Sequence, residues 1–292
     1  MAVAGARELL SRATVGRYSV GAFNITNINQ MLAVVEAAVA KRAPLIIQTS
    51  VGPSKSIGPE VIAAAYRAIA SAAPIPIALH LDHCTDAAWC RRCVDAGYTN
   101  IMYDGSHHAF DDNVRITAEV CEYAHRAAGV SVEGELGTVS GVEDQVKVAE
   151  DESALCDPAR AVEFVDRTGI DIFAPAIGTA HGIYKTENPK LDFARLEKIA
   201  GLVNGKGVRA PLVIHGGTGL KPDVVRRLVA LGGSKFNVST ELKHVLIDAT
   251  WEYLSGHRDE YDPGKLDRHT GEATRRAIGA WIDLLGSAGK AA

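Results

Sequence analysis

Three histidines in this chain each follow an apolar run of the kind that forms a buried strand. The runs cover residues 76–79, 172–178 and 211–214, and they lead to His83, His181 and His215 respectively. The carboxyl ends of neighbouring parallel strands meet at one edge of a sheet, so these three side chains can converge there. Three neutral imidazoles are a common ligand set for Zn2+ and leave one coordination position open for water or substrate. The spacing therefore predicts one divalent metal, zinc, on these histidines.

Two alternatives to this metal site stay open at the level of the sequence. A histidine at a strand end is often a hydrogen-bonded structural residue, and this interpretation applies to each of the three. His107 and His108 also follow a strand end and are rival ligands. His80 falls inside its predicted strand and is expected in the core.

Acidic side chains accompany the histidines. Asp82 adjoins His83 and can position a substrate hydroxyl or relay a proton, or it can orient a histidine ligand. Glu133 and Glu135 share one face of a strand by the period of two, where carboxylates are costly unless paired or metal-bound. Glu143 lies on a polar, glycine-flanked segment that is either a lid carrying a base or a solvated loop.

A glycine-rich turn at 215–219 precedes a helix that begins near Pro222, and residues 236–240 lead into the next helix. Glycines let backbone N–H groups approach an anion, and a helix N-terminus adds partial positive charge. Lys185, four residues after His181, can add a cation. Barrel proteins commonly bind phosphate after their seventh and eighth strands, so these segments predict a phosphate site.

Strand and helix patterns alternate along the whole chain without a linker. Predicted strands cover residues 18–24, 44–49, 76–82, 100–103, 131–136, 172–174, 211–214 and 235–239. Eight largely apolar strands, nearly all followed by a helix, are typical of an α/β (β/α)8 TIM barrel, here with an additional C-terminal helix. We predict a single domain over residues 1–292, a mobile loop at about 138–155 and a C-terminal helical extension at about 256–292. An open doubly wound sheet is the alternative, but no G-x-G-x-x-G follows the first strand.

Composition excludes several classes of protein. The 292 residues are 47% hydrophobic, which is enough for a large core, and the net charge is −4 without a basic block, so nucleic acid is not expected. No apolar run approaches the roughly eighteen residues of a membrane helix, and the N-terminus lacks a signal-peptide pattern. Five cysteines, an odd number, indicate reduced thiols and a cytoplasmic protein. Cys90 and Cys93 are interpreted as small core residues within a helix.

A metal, rim carboxylates and a phosphate site together indicate carbon–carbon or proton chemistry beside the carbonyl of a sugar phosphate. Zinc would hold the ketone oxygen and stabilise an enediolate. A Schiff-base mechanism requires a desolvated lysine in a barrel strand. Lys235 is predicted to open its strand at the end away from the rim, so this mechanism is not favoured.

Residues 21–241 resemble the class II, metal-dependent fructose-bisphosphate aldolase family, which includes tagatose-bisphosphate aldolases. The motifs that carry the resemblance are Gly21-Ala22-Phe23-Asn24, His80-Leu81-Asp82-His83-Cys84, Asp104-Gly105-Ser106, Glu133-Gly134-Glu135-Leu136-Gly137, Gly178-Thr179-Ala180-His181-Gly182-Ile183-Tyr184-Lys185, His215-Gly216-Gly217-Thr218-Gly219 and Asn237-Val238-Ser239-Thr240.

The resemblance implies zinc on His83, His181 and His215. It implies that Asp82 acts on the 4-hydroxyl or the incoming aldehyde, and that Glu143 exchanges the proton of dihydroxyacetone phosphate. The residues implied to bind substrate or its phosphate are Asn24, Ser50, Gly182, Lys185, Gly216, Thr218, Asn237, Ser239 and Thr240. Asp104 and Glu135 match positions that hold an alternate or second metal in some members. A monovalent cation, Na+ or K+, and a homodimer or homotetramer are further implications.

The expected reaction is the reversible cleavage of fructose 1,6-bisphosphate to dihydroxyacetone phosphate and glyceraldehyde 3-phosphate. Ser239 stands where many members have aspartate or asparagine, which leans towards tagatose bisphosphate; a related phosphorylated keto-acid is a further alternative. A sugar-phosphate sensor on the same barrel is the non-enzyme alternative. Arg275 and Arg276 are candidates for the distal phosphate, or else part of a solvated helix face.

Overall fold

The computed structural model describes residues 3–127, 129–143, 146–148, 154–182, 184, 186 and 189–291, with the backbone alone at 142, 143 and 146–148. Eight parallel strands close into a barrel. In chain order they are β1 (Val20–Asn24), β2 (Leu45–Ser50), β3 (Ile77–Cys84), β4 (Asn100–Tyr103), β5 (Ser131–Leu136), β8 (Ile172–Pro175), β10 (Leu212–Ile214) and β11 (Gly233–Val238). The order around the barrel is β1-β11-β10-β8-β5-β4-β3-β2, with β1 and β2 completing the closure. The barrel is confirmed over the open sheet.

Helices surround the barrel. They are α1 (Ala6–Gly16), α2 (Ile28–Lys41), α3 (Val51–Ile57), α4 (Pro59–Ala72), α5 (Ala87–Ala96), α6 (Phe110–His125), α7 (Pro158–Thr168), α8 (Phe193–Asn204), α9 (Pro222–Ala230), α10 (Thr240–Gly256) and α11 (Pro263–Leu284). Local signals account for several of their ends. The side chain of Asp86 caps α5, and Gly97 ends that helix in the left-handed conformation that glycine adopts without strain. Asp157 and Gly169 do the same for α7.

The terminal helices differ from the sequence prediction. Within the predicted C-terminal extension at about 256–292, the apolar pattern indicates a helix only at about 271–285, whereas α11 begins two turns earlier, where Asp262 accepts a hydrogen bond from the backbone of Gly264. Its first two turns carry little apolar periodicity, which is why the pattern misses them. The pattern also misses α1, whose Leu9 and Leu10 pack with Val20 and Ile46 inside one end of the barrel.

The segment at 138–155 contains strands that the sequence did not predict. Two of them, β6 (Ser140–Glu143) and β7 (Val146–Val148), form an antiparallel pair. On its other side β6 pairs in parallel with β9 (Ala180–His181). His181 therefore does not end a barrel strand: β8 stops at Pro175, and His181 lies on a small separate sheet above it. No helix among the described residues is long and apolar enough to cross a membrane.

Candidate metal and phosphate site

The three histidines come together at the carboxyl end of the barrel. The ring centroids of His83 and His215 are 4.4 Å apart, those of His83 and His181 4.7 Å, and those of His181 and His215 6.0 Å. One ring nitrogen from each lies within 4.8 Å of the other two. His83 and His215 are buried, whereas His181 is partly exposed at the open side. This arrangement of three imidazole nitrogens can hold one divalent metal ion.

Carboxylates orient two of these rings. The Nε2 atom of His215 lies 2.9 Å from Glu133 Oε1, and its Nδ1 atom lies 3.1 Å from Glu135 Oε2. Neither that Nδ1 atom nor that Oε2 atom has a hydrogen-bond partner among the described residues, although both are buried. A histidine that meets a carboxylate with one nitrogen and turns the other to a ligand position is the usual arrangement around a protein-bound metal. The donor set therefore fits a resident zinc ion.

A second set of ligands shares His83. Its Nδ1 atom lies 3.0 Å from Asp104 Oδ2, and ligand atoms of His83, Asp104 and Glu135 lie within 4.8 Å of one another. Burial alone would raise the pKa of Asp104, but the hydrogen bonds and charge of His83, with the hydrogen bonds from Ser106, hold it well below its usual range. Asp104 is thus an anion near neutral pH, as a metal ligand or ligand-orienting group must be.

His83 itself has a left-handed backbone, with φ at +44°. Only a few per cent of residues other than glycine adopt this region, and such conformations persist where the surroundings enforce them. His83 is the second-to-last residue of β3, where the register with β4 shifts between Leu81 and Cys84. The irregular strand end lets adjacent Asp82 and His83 both remain buried at the site.

Asp82 is held by three amide side chains. Asn24 donates to Oδ2 at 2.9 Å, Gln48 to the same oxygen at 3.2 Å, and Asn237 to Oδ1 at 2.9 Å. The carboxylate is fully buried, and its donors come from β1, β2 and β11. Three donors fix the carboxylate as a hydrogen-bond acceptor in one orientation. The sequence analysis missed Gln48, although a lone amide inside the apolar run of β2 is a detectable signal.

A small cavity adjoins His181, one of the three histidines. It is lined by His181, Gly182, Gly216, Gly217, Thr218, Asn237, Ser239 and Thr240. The N-terminus of α10 opens into it at Thr240. Ser239 Oγ and Asn237 Oδ1 are buried there without a hydrogen-bond partner among the described residues. Backbone N–H groups, hydroxyls and a helix N-terminus in one concavity are suited to an anion such as a phosphate group.

At two positions that line this cavity, steric contacts exclude any residue larger than glycine. Gly216 has φ at +67°, and a Cβ atom there would lie 2.4 Å from the carbonyl oxygen of Ala180. A Cβ atom on Gly217 would lie 2.0 Å from the ring of Phe236. The hydroxyl of Tyr184 accepts from the N–H of Ala180 and donates to the carbonyl of Gly216, at 3.0 and 2.7 Å. The sequence analysis gave Tyr184 no role, yet its hydroxyl ties the loop of His181 to the phosphate turn.

Burial raises the pKa of Tyr184 to about 12, so its hydroxyl keeps the proton that it donates to Gly216. The rival ligands His107 and His108 are exposed, stack on each other with centroids 3.9 Å apart, and belong to neither ligand cluster among the described residues. Ser50 is buried at the end of β2, in register with Asp82.

Four predicted site residues are not placed at the cavity by contacts that the structure describes. Arg275 pairs with Glu36 of α2 at 2.7 Å on the outer helices, and Arg276 beside it is exposed. Lys185 lies outside the described residues. The side chain of Glu143 lies outside them too, but its backbone ends β6, two residues after Gly141, which is in register with His181.

Comparison with known proteins gives one consistent family. The model of the family described as fructose-bisphosphate aldolase class-II matches residues 4–290. A fructose-bisphosphate aldolase of Geobacillus stearothermophilus is 41% identical over 301 residues, covering 100% of both chains. A fructose-bisphosphate aldolase of Helicobacter pylori is 36% identical over 306 residues, covering 97% of this chain and 98% of its own. The crystal structure of the YdjI aldolase from Escherichia coli K12 superposes with a TM-score of 0.85 at 29% identity, covering 99% of this chain and 100% of that one.

Proposed function

The chain belongs to the class II fructose-bisphosphate aldolase family, and we propose that it reversibly cleaves fructose 1,6-bisphosphate to dihydroxyacetone phosphate and glyceraldehyde 3-phosphate. The observation that carries the proposal is that His181 belongs both to the three-histidine cluster and to the lining of the anion cavity. A substrate whose phosphate fills the cavity therefore places its neighbouring carbonyl beside the cluster. The family is zinc-dependent in general, and the ligands here are His83, His181 and His215. When bound, zinc supplies a Lewis acid that polarises a carbonyl oxygen.

The cavity residues bind the phosphate of the triose half. Gly182 and Gly216 offer backbone N–H groups, Thr218 and Ser239 offer hydroxyls, and Thr240 begins α10. Lys185 adds the cation that the resemblance assigns to this position. Asp104 and Glu135 can hold an alternate or second metal with His83, and a monovalent cation, Na+ or K+, binds near the phosphate turn.

Asp82 accepts a hydrogen bond from the substrate's 4-hydroxyl and takes its proton as the bond between C3 and C4 breaks. Asn24 and Asn237 hold the carboxylate still during this transfer, because each donates to one of its oxygens. A fixed acceptor avoids reorganisation when the proton moves. In the synthetic direction, the same carboxyl group returns the proton to the oxygen of the incoming aldehyde.

Glu143 exchanges the proton at the triose carbon. What supports this role is the pairing of β6 with β9, because Gly141 is in register with His181 and Glu143 is two residues further along the same strand. This pairing brings β6 to the edge of the metal cluster. We propose that the segment is mobile and delivers Glu143 when it closes over bound substrate.

Gly141→Ala is expected to lower kcat/KM by roughly 10²-fold, the cost of misplacing a reacting group by about 1 Å. Gly141 has φ at +106°, and a Cβ atom there would lie 2.3 Å from the carbonyl oxygen of His181, so β6 would be displaced from β9. The measurement is steady-state cleavage of fructose 1,6-bisphosphate. Gly169→Ala is the matched control, because Gly169 also has positive φ, at +71°, but has open space around it. Equal losses in the two variants would contradict a role for the β6–β9 pairing.

The function is tested by following triose phosphate release from fructose and tagatose 1,6-bisphosphates in a coupled assay. A higher kcat/KM for fructose 1,6-bisphosphate than for tagatose 1,6-bisphosphate supports the proposal. A preference for tagatose bisphosphate would favour the second candidate, for which Ser239 in the cavity is the specific observation; one contact to the 4-hydroxyl can set this choice. Binding without turnover in protein with full zinc occupancy would instead indicate a sensor.

We also propose that the chain forms a homodimer or homotetramer. What supports this is an exposed apolar face on α10 formed by Ile247, Trp251 and Leu254, at intervals of about one helical turn. The distal phosphate is then assigned to Arg275 or Arg276 of a neighbouring copy, because within one chain Arg275 is held by Glu36. Light scattering on the purified protein measures the mass, and a monomer would remove both assignments.

A further inference from the structure

A buried lysine lies inside the barrel beneath the metal cluster. Lys235 is fully buried, and its Nζ atom lies 2.9 Å from Glu133 Oε2 and 3.3 Å from His80 Nε2. The sequence analysis predicted Lys235 as the first residue of its strand, at the end away from the rim. In the structure β11 begins at Gly233, so Lys235 is its third residue, and its long side chain reaches the level of Glu133 on β5.

Lys235 and His215 use different oxygens of the same carboxylate. Glu133 Oε2 meets the ammonium of Lys235, and Glu133 Oε1 meets His215 Nε2 at 2.9 Å. All three side chains are buried. The two contacts fix both oxygens of Glu133, and a fixed carboxylate leaves the His215 ring one orientation, with Nδ1 turned towards Glu135 and the other two histidines.

Lys235 does not line the anion cavity, and its contacts are with Glu133 and His80 only, within the part of the chain that the structure describes. His80 in turn meets Asn100, with 2.5 Å between His80 Nδ1 and the side-chain amide. Lys235 therefore does not contact the metal ligand His215 directly. Glu133 lies between the two residues and contacts both. Removing one partner of a buried ion pair leaves the other charge uncompensated, so Glu133 is expected to change its position or contacts when Lys235 is lost.

We propose that Lys235 is a positioning residue: acting through Glu133, it holds His215 in the orientation that binds the divalent ion and so sets the affinity of the site for that ion. This inference rests on the proposed metal site but not on the identity of the sugar phosphate. Substitutions of groups that orient a metal-bound histidine typically lower metal affinity by about 10–100-fold, and Lys235 acts one contact further out through a buried ion pair.

The test is a double-mutant cycle on Lys235 and Glu133. The zinc affinity of each variant is measured by competition with a chromophoric chelator. Lys235→Met is expected to weaken zinc binding by about 10-fold or more, and Glu133→Gln by about 10–100-fold. Because both act through one carboxylate, the double variant should bind zinc as weakly as Glu133→Gln alone. The visible absorption of the Co2+-loaded protein should change in Lys235→Met, since the geometry around His215 changes.

Asn100→Ala is the matched control, because it removes the other partner of His80 without touching Glu133. It should leave zinc affinity unchanged, whatever it does to stability. Lys235→Met that loses stability but binds zinc like the natural protein would overturn the proposal, and so would additive losses in the cycle. If Lys235→Met alone does not fold, the double variant has no unpaired buried charge, and weaker zinc binding in it than in Glu133→Gln would equally overturn the proposal. If the double-mutant cycle gives the expected zinc affinities but the protein cleaves no ketose bisphosphate, the proposed function is refuted and the positioning role of Lys235 stands.

Discussion

Removing the divalent metal with a chelator is expected to abolish cleavage of fructose 1,6-bisphosphate, and added Zn2+ is expected to restore it. A Lewis acid contributes several kcal/mol to the transition state, which is a loss of roughly 10²–10³-fold or more at about 1.4 kcal/mol per factor of ten. Among the described residues no lysine or arginine lines the anion cavity, so no side-chain cation there takes over the role of the metal. The measurement is the initial rate after gel filtration, with metal content determined by atomic emission.

Two single variants localise this effect. His83→Ala should lose both zinc and activity, because His83 is common to both ligand clusters. His107→Ala is its matched control: the same change at an exposed histidine that was a rival ligand in the sequence. Far-UV circular dichroism confirms that the barrel persists in each. An undiminished rate after verified metal removal would contradict the mechanism, and zinc loss from His107→Ala alone would reassign the ligands.

Asp82→Asn is expected to lower kcat for cleavage by about 10²–10⁴-fold, the usual contribution of a positioned acid or base. The carboxylate accepts hydrogen bonds from Asn24, Gln48 and Asn237. An amide in its place turns an NH2 group towards one or more of these NH2 donors and cannot take up the substrate proton. The loss should appear in kcat more than in KM, because the group acts on the reacting hydroxyl rather than on the phosphate.

Asp86→Asn is the control for this substitution. The change is chemically identical, four residues along the chain, where Asp86 is exposed and caps α5. Asparagine caps helices about as well as aspartate, so both activity and stability should stay close to those of the natural protein. If Asp82→Asn retains kcat and merely raises KM, Asp82 binds substrate without transferring a proton.

Much of the fold follows from local patterns. The strands at Asn100–Tyr103 and Ser131–Leu136 have the predicted bounds. The ends of the elements can also be predicted from the sequence. Cap residues such as Asp86 and Gly97, at the two ends of α5, act within a few residues of their own position and so mark where the neighbouring strands stop and start. The prediction that three distant histidines lie at one rim follows from that, since a closed parallel barrel brings all carboxyl ends to one side.

The parts that the sequence left open depend on contacts between distant residues. Lys235 was predicted to open its strand, but β11 begins two residues earlier at Gly233, which places Lys235 inside the strand, and the length of its side chain lets it reach Glu133. The sequence placed His181 just past an apolar run at 172–178; in the structure Pro175 ends β8, and the chain then forms β9, which contains His181, against β6. The polar segment at 138–155 gives no strand signal of its own, and one of the two strands that pair with β6, the strand β9, lies about 40 residues away.

The amino-acid sequence by itself determined the barrel and predicted the metal-binding residue types and the phosphate turn, because periodicity, caps and glycine spacing are local properties. Only the tertiary structure decided which oxygen of Glu133 meets His215, that Gln48 helps to hold Asp82, and that Lys235 lies beneath the cluster. The first two of these contacts join residues 82 and 34 positions apart. They exist only once the barrel has closed, and their partners are chosen by side-chain length and register rather than by spacing along the chain.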